Sequence, residues 1–304
     1  MSIVVFGSIN MDLVVRAPHL PLPGQTLTGQ SFVTIPGGKG ANQAVACARL
    51  GTAVRMVGRV GGDAFGAELR QGLHDHGVNI DAVAVDSNQP SGVALITVDA
   101  QAENTIIVVP GANGAIDERD LSRLDAVLVD AKVLLLQLEI PLTMVVAAAQ
   151  QAKARGVIVI LDPAPAQILP PDLYACVDLI TPNETEAQAL VGFPIANEAE
   201  AARASTVLQE RGVGQVIIKM GSRGAYWQAA DGQRTFVPAY RVQAVDTVAA
   251  GDAFNGGLAS ALAEGLSLPE AVQRGMATGA LSTTRPGAQP SMPTREEVIA
   301  LMSR

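Results

Sequence analysis

A run of small residues that ends in an acidic residue is the strongest chemical signal in this sequence. Ala249, Ala250 and Gly251 precede Asp252 at the predicted start of a helix. Amides at a helix start lack partners and carry partial positive charge, so they can form an anion hole. Asp252 could take a proton from an attacking hydroxyl while these amides neutralise a phosphoryl group. The alternative is an Asp that only stabilises the helix dipole, with glycines present for close packing.

A second glycine-rich segment, Pro36 to Ala44, opens another predicted helix. It lacks the spacing of a P-loop, so a Walker-type phosphate cradle is not supported. Gly38 allows a ligand to approach the backbone, and Lys39 and Asn42 are three residues apart on one helical face. This arrangement suits a neutral polyol better than a triphosphate.

Polar side chains also follow two predicted strands. Asn10 and Asp12 come after the first strand, and Glu139 follows the strand predicted over 133–138. Open α/β sheets bind ligands beyond the carboxyl ends of their strands. An amide and carboxylates at this edge would bind hydroxyl groups. An Asx-turn is the alternative for Asn10 or Asp12.

Two weaker signals lie later in the chain. Asn183 and Glu186 are three residues apart and could orient the waters of a Mg²⁺ ion, but this spacing favours a capping box. A glycine-rich turn from Lys219 to Gly224 follows another predicted strand. Taken alone, it is only weakly informative.

The elements that must position these residues alternate between short apolar strands and helices that end in Gly. This pattern predicts an α/β fold, with a mainly parallel central sheet and helices on both faces. Two segments, about 13–36 and 92–109, instead contain short alternating strands bounded by Pro and Gly. We expect them to form β-hairpins outside the main sheet, as a small lid subdomain or an edge extension. No linker divides the chain, so 1–304 is predicted to be a single domain.

Composition narrows the functional class. The formal net charge is −8, without a basic cluster, which disfavours nucleic acid and anionic membranes as partners. Cys47 and Cys176 lie far apart without metal-ligand spacing, so free thiols in a reducing compartment are expected. The first residues run directly into a strand pattern without a charged leader. These features predict a cytoplasmic enzyme.

Together, the motifs have a family resemblance along residues 2 to about 300. They include Gly-Ser-Ile-Asn-x-Asp, Gly-Gly-Lys-Gly-Ala-Asn-Gln, Thr-Pro-Asn-Glu-Thr-Glu, Gly-Ser-Arg-Gly and Ala-Ala-Gly-Asp-x-Phe-Asn-Gly. The sequence resembles the ribokinase/phosphofructokinase-B family of sugar kinases, and its first two motifs resemble the ribokinase branch. The resemblance implies ATP-dependent phosphorylation of ribose at the 5-hydroxyl. A kinase for 2-deoxyribose, a nucleoside or another small sugar remains possible, as does a non-catalytic sugar-binding protein on the same fold. An NAD-dependent oxidoreductase is disfavoured because no GxGxxG follows the first strand.

The resemblance also implies roles for individual residues. The base would be Asp252, beside the anion hole of Ala249, Ala250 and Gly251. The sugar would be bound by Asn10, Asp12, Gly38, Lys39, Asn42, Glu139 and Asp252. The nucleotide and Mg²⁺ would be served by Asn183, Glu186, Lys219, Gly221, Ser222, Gly224, Gly251 and Met276. A monovalent cation, K⁺, would take oxygens from Asp246, Val248, Ser282, Arg285, Gly287 and Ser291.

Two further expectations come from the resemblance. The lid segments would pair with those of a second subunit in a homodimer. Lys219 stands where a hydroxyl residue is usual, and Met276 where an Asn or His commonly contacts adenine. Both departures concern the nucleotide rather than the catalytic step.

Overall fold

A large, mostly parallel sheet forms the centre of the molecule. The structure, a computed structural model, describes residues 2–101 and 103–303. In this part of the chain the large sheet has nine strands in the order β13-β12-β11-β10-β9-β8-β1-β4-β5. Its pairings are parallel except at one edge, where β11 with β12 and β12 with β13 pair antiparallel. The strands of this sheet are β1 (Ser2–Phe6), β4 (Val54–Gly61), β5 (Asn79–Asp86), β8 (Ala131–Leu136), β9 (Ile158–Leu161), β10 (Leu179–Ile180), β11 (Gln215–Lys219), β12 (Gly224–Gln228) and β13 (Arg234–Pro238).

Helices cover both faces of this sheet, as the sequence pattern predicts. Successive side chains of a strand point to opposite faces. In β1, Ile3 and Val5 accordingly join one hydrophobic cluster, and Val4 and Phe6 join the other. The helices are α1 (Lys39–Arg49), α2 (Ala64–Asp75), α3 (Glu118–Leu128), α4 (Leu142–Ala154), α5 (Pro171–Tyr174), α6 (Glu184–Val191), α7 (Glu198–Glu210), α8 (Ala250–Glu264), α9 (Leu268–Ser282) and α10 (Arg295–Met302). Among the described residues, no helix combines the length and apolarity needed to cross a bilayer.

A second, four-stranded sheet is built from the two segments that interrupt the alternation. Its strands are β2 (Asn10–Arg16), β3 (Ser31–Gly37), β6 (Gly92–Val98) and β7 (Asn104–Val109), in the order β3-β2-β6-β7. The two predicted antiparallel hairpins are present, and they join through a parallel pairing of β2 with β6. Ala102, within the predicted segment 92–109, lies outside the described residues. The role of this small sheet as a lid stays a prediction.

Helices α8 and α9 approach each other closely because glycines face the contact. A Cβ on Gly257 would lie only 2.4 Å from Thr278 Oγ1 and 3.0 Å from the Gly275 Cα. On the other side of the contact, a Cβ on Gly275 would lie 3.0 Å from the Phe254 ring. The first turn of α8 carries Asp252, so this packing helps to fix the position of that carboxylate.

We predict opposite effects of the same substitution in two helices. Gly257→Ala should lower the free energy of unfolding by about 1–3 kcal/mol, because its new methyl group overpacks the α8–α9 contact. Gly72→Ala in α2 is the control: a Cβ there meets no heavy atom within 4 Å. It should raise stability by about 0.5–1 kcal/mol through helix propensity. Urea unfolding measures both; a Gly257→Ala variant as stable as the parent would contradict this packing argument.

Candidate active site

The site lies where the amino end of α1 meets the carboxyl end of β1. A Cβ on Gly40 would lie 2.7 Å from the Ser8 amide nitrogen, so only glycine permits this approach. Gly38 has a φ of 88°, a left-handed conformation that L side chains rarely adopt. A Cβ on Gly38 would also lie 2.7 Å from the Asn10 amide nitrogen. The glycine-rich segment therefore brings Lys39 and Asn42 beside the strand that carries Asn10 and Asp12.

Asp252 is the buried centre of this site. It lies in the first turn of α8 and is only 5% exposed. Asn42 Nδ2 donates to its Oδ2 at 2.9 Å, and Gln43 Nε2 donates to its Oδ1 at 3.1 Å. Two neighbouring residues of α1 thus hold one carboxylate at the start of α8.

The environment of Asp252 raises its pKa to about 6. Burial is the largest cause, because it disfavours the charged form. The charge of Asp162 also raises the pKa. The charge of Lys39 and the hydrogen bonds from Asn42 and Gln43 lower it. A carboxyl group with this pKa is mostly ionised at neutral pH and can still accept a proton, as a general base must.

The backbone before Asp252 provides amides without partners. Ala249 has a φ of 58°, an unusual conformation for a residue with a Cβ, and α8 begins directly after it. Within the described chain, the amides of Ala249, Gly251 and Asp252 have no acceptor. The Ala250 amide donates to the Thr247 carbonyl at 3.3 Å. The role of the Ala250 amide in the anion hole stays a prediction, and the Asp252 amide is a further candidate.

The predicted sugar-binding residues form a cluster of charges around Lys39. The pKa of Asp12 is raised to about 7, mainly by burial and also by the charges of Glu139 and Asp252, while Lys39 acts to lower it. Burial opposes the charge of Lys39, but Asp252, Asp162, Glu139 and Glu186 hold its pKa above the usual range. The Lys39 backbone amide donates to Glu139 Oε2 at 3.0 Å, and the Ser8 hydroxyl donates to the same oxygen.

Asn183 and Glu186 form the capping box that their spacing favours. Glu186 Oε2 accepts from the Asn183 amide at 2.7 Å, and Asn183 Oδ1 accepts from the Glu186 amide at 2.8 Å. Burial raises the pKa of Glu186 despite the nearby charge of Lys219. Both side chains already have partners, so a role toward Mg²⁺ stays a prediction.

The Lys219 side chain lies close to the predicted anion hole. Its Nζ donates to Asp162 Oδ1 at 3.0 Å, and a Cβ on Gly251 would lie 3.3 Å from this nitrogen. The short 3₁₀ turn Gly221–Arg223 and Gly224 follow directly, as predicted for a strand-end turn. Ser222 lies in this turn and is exposed. Met276 is 8% exposed and packs in the hydrophobic core, so its expected contact with adenine is limited to a small surface.

Three residues of the site carried no predicted role: Gln43, Gln137 and Asp162. Gln43 Nε2 donates to Asp162 Oδ2 at 3.0 Å as well as to Asp252, so it links the two carboxylates. Gln137 Nε2 in turn donates to Gln43 Oε1 at 2.7 Å. Asp162 follows β9 just as Glu139 follows β8, so the strand-end signal could have identified it. Gln43 became recognisable only once the two carboxylates were placed.

The segment predicted to hold a monovalent cation is organised around Asp246. Its Oδ1 accepts from the Val248 amide at 3.0 Å and its Oδ2 from the Gly287 amide at 2.9 Å. Ser282 and Ser291 use their hydroxyls to bond nearby carbonyls. The Arg285 guanidinium pairs with Glu297. Asp246 therefore ties the loop before the anion hole to the loop after α9. Among the described residues, no group of three or more His, Cys, Asp or Glu side chains is placed to hold a metal ion.

Known proteins match this chain along almost its whole length. Haemophilus influenzae ribokinase is 42% identical over 301 residues, covering 99% of this chain and 98% of the relative. Salmonella typhi deoxyribokinase is 38% identical over 304 residues, covering 100% and 99%. The structure of Arabidopsis thaliana ribokinase complexed with ribose and ATP superposes with a TM-score of 0.93 at 35% identity, covering 99% and 98%. The model of the pfkB family of carbohydrate kinases matches residues 1–295. With a buried carboxylate at the start of α8 and relatives of this similarity, the chain belongs to the pfkB family of carbohydrate kinases.

Proposed function

We propose that this protein transfers the γ-phosphoryl group of ATP to the 5-hydroxyl of ribose. The observation that carries the proposal is the buried Asp252 carboxylate, which lies beside free amides at the start of α8. Phosphoryl transfer depends mainly on positioning and on neutralising charge. A base and an anion hole at one helix start provide both at the same point. The ribokinase relatives support ribose as the acceptor.

The sugar is assigned to the cluster around Lys39. Asn10, Asp12, Gly38, Lys39, Asn42 and Glu139 bind the sugar hydroxyls in this proposal. Asp252 takes the proton of the 5-hydroxyl as the oxygen attacks. The amides of Ala249, Gly251 and Asp252 neutralise charge on the transferred group, and Lys219 Nζ adds a fixed positive charge next to Gly251.

The nucleotide and its Mg²⁺ are assigned to the opposite side of the anion hole. Glu186 is a partly buried carboxylate beside Lys219, and carboxylate oxygens suit Mg²⁺ and its waters. Bound Mg²⁺ would neutralise phosphate charge. Asn183 orients Glu186 through the capping box, and the Gly221–Gly224 turn, Gly251 and the exposed edge of Met276 line the remaining nucleotide site in this proposal.

A second candidate acceptor is 2-deoxyribose, because the Salmonella typhi deoxyribokinase is nearly as similar as the ribokinases. Measuring kcat/KM with ATP for ribose, 2-deoxyribose, fructose and nucleosides distinguishes the two candidate acceptors. A preference for ribose is expected if Asp12 accepts from a hydroxyl that deoxyribose lacks, because an unpaired buried charged group costs about 1–3 kcal/mol or more. Equal kcat/KM for the two pentoses would favour the deoxyribose assignment, and no turnover of any sugar would overturn the proposed function.

The small sheet is proposed to form a homodimer interface above the site. Phe32, Ile106 and Ile107 are 61%, 55% and 63% exposed on it, and its edge strands β3 and β7 are open to pairing. Sedimentation at micromolar concentration tests this assembly, and a monomer would contradict it.

Cys47 and Cys176 are free thiols, in keeping with the cytoplasmic location that we also propose.

Asp252→Asn should bind both substrates and lose nearly all turnover. The amide keeps the size of the side chain but cannot accept the proton, and a positioned general base contributes about 10²- to 10⁴-fold. The loss should therefore fall on kcat, with KM for ribose and ATP much less affected. Steady-state kinetics measures both constants. Retention of more than about a tenth of the parent kcat would remove Asp252 from the role of base.

The pH profile should show an acidic limb that belongs to two carboxyl groups. The pKa values of Asp252 and Asp12 are raised to about 6 and about 7, so both groups gain protons as the pH falls through this range. A protonated base cannot accept a proton, so kcat/KM for the sugar should fall below about pH 7. In Asp12→Asn the limb should become shallower and move toward pH 6. A flat profile from pH 5 to 8 would contradict both assignments.

We also expect activation by K⁺ in preference to Na⁺. Asp246 offers one carboxylate between two loops, and carboxylate and carbonyl oxygens fit a hard monovalent cation. The ion would rigidify the loop that leads into the anion hole. Rates are compared in Tris buffer with KCl, NaCl or neither at matched ionic strength.

Asp246→Ala should abolish this response. Asp231→Ala is the control, since Asp231 makes the same bond to an amide two residues on but lies in an exposed turn. Identical rates with K⁺, Na⁺ and neither would contradict the cation site, as would a full K⁺ response in Asp246→Ala.

A further inference from the structure

The side chain of Asn113 is buried against the beginning of β2. It lies in the 3₁₀ turn Gly111–Ala115, which follows β7, and it is 1% exposed. Its Oδ1 accepts from the Ile9 amide at 2.9 Å, and its Nδ2 donates to the Ile9 carbonyl at 3.1 Å. The same Nδ2 donates to Asn10 Oδ1 at 2.7 Å. Asn113 therefore connects the backbone before the site to a residue assigned to the sugar.

These contacts fix the orientation of the side-chain amides of Asn113 and Asn10, that is, where each oxygen and each nitrogen lies. The oxygen and nitrogen of an Asn side chain have nearly the same shape, so only hydrogen bonding fixes their orientation. A backbone N–H can only donate and a backbone carbonyl can only accept, so Ile9 leaves Asn113 one orientation. Asn113 then presents a donor to Asn10, and Asn10 must turn its oxygen toward it.

The orientation of Asn10 has a chemical consequence for the site. Its oxygen is occupied, and among the described residues its Nδ2 has no partner. Asn10 is therefore a donor toward a ligand, whereas an ionised Asp12, two residues along the same strand face, only accepts. A sugar hydroxyl can satisfy both, since it accepts from one group and donates to the other.

The space for this contact depends on a glycine in the neighbouring strand. Gly92 pairs with Asn10 across β2 and β6. A Cβ on Gly92 would lie 2.2 Å from Asn113 Nδ2 and 2.3 Å from Asn10 Oδ1. Any other residue at position 92 would collide with both atoms of the hydrogen bond. Gly92 of the small sheet therefore leaves the space that the hydrogen bond between Asn113 and Asn10 needs.

We propose that Asn113 is a positioning residue that makes Asn10 a hydrogen-bond donor to the sugar. The inference rests on the proposed function only in placing the sugar against Asn10. It adds a residue outside the binding cluster and specifies the direction of one hydrogen bond. Asn113 itself need not touch the substrate.

Asn113→Asp tests the proposal with a side chain of almost the same shape. A carboxylate can still accept from the Ile9 amide but cannot donate to Asn10, whose amide would then turn its nitrogen away from the sugar. KM for ribose should rise about 10- to 100-fold, the effect of a reversed buried hydrogen bond. KM for ATP should stay within about twofold. Equal rises in both KM values would indicate general damage to the site and overturn the proposal.

A double-mutant cycle separates positioning from a merely structural role. Asn10→Ala is combined with Asn113→Asp, and KM for ribose is measured for all four proteins. If Asn113 acts through Asn10, its substitution should have little further effect once Asn10 is Ala. The same fold-increase in both backgrounds would contradict the proposal, as would an unchanged KM in Asn10→Ala alone.

Two further measures keep the test decisive. Asn113→Ser replaces Asn113→Asp in the cycle if the charged variant does not fold, since a short hydroxyl leaves Asn10 free to rotate. If the parent enzyme uses another of the sugars tested as acceptors, the cycle is measured with that sugar. A wrong assignment of the acceptor can then be told apart from a wrong role for Asn113, which the two KM values and the cycle test.

Discussion

A buried carboxylate held between two helix starts is the constraint on which the site depends. Asp252 is almost inaccessible to solvent, and an unpaired charge in such a place would be costly. Asn42 and Gln43 at the start of α1 meet this requirement with one hydrogen bond each, and the charge of Lys39 adds to them. The two helices must therefore approach each other closely, and a Cβ on Gly256 of α8 would lie only 2.4 Å from the Ala46 Cβ of α1. The fold is arranged so that one charged group can remain buried and reactive.

The surrounding charges adjust this carboxylate rather than cancel it. Lys39 favours its ionised form, while Asp162 opposes ionisation and is itself paired with Lys219. The resulting pKa of about 6 suits a group that must be ionised before the reaction and protonated during it. Gln43 connects Asp162 to Asp252, so the proposed nucleotide side and the proposed sugar side share one network. A change on either side should affect the base.

The sequence predicted the parts of the fold that depend on local pattern. Alternating apolar strands and helices indicated the parallel sheet, and Pro- and Gly-bounded segments indicated the small sheet. The hairpin of β12 and β13 and the strand β5 were not among the predicted elements. The edge strands β5 and β13 are partly exposed and carry little apolar pattern, whereas β12 is buried but begins at the glycine that ends the preceding turn. Asp252 was recognisable from its helix start. Gln43 and Asn113 act through partners up to about 210 positions away, which no local spacing encodes. The bond of the Ala250 amide to Thr247 could not be predicted either, because it depends on the turn at Ala249.

The central claim is that the attacking hydroxyl of the sugar meets Asp252 beside the α8 amides. A crystal structure of the Asp252→Asn variant with ribose and ATP tests it most directly, because the variant should bind both without turnover. The account predicts the 5-hydroxyl oxygen within about 2.6–3.2 Å of the side chain at position 252, with the γ-phosphate at the Gly251 amide. A ribose bound with its 5-hydroxyl beyond hydrogen-bond reach of that side chain, or outside the cluster around Lys39, would contradict it.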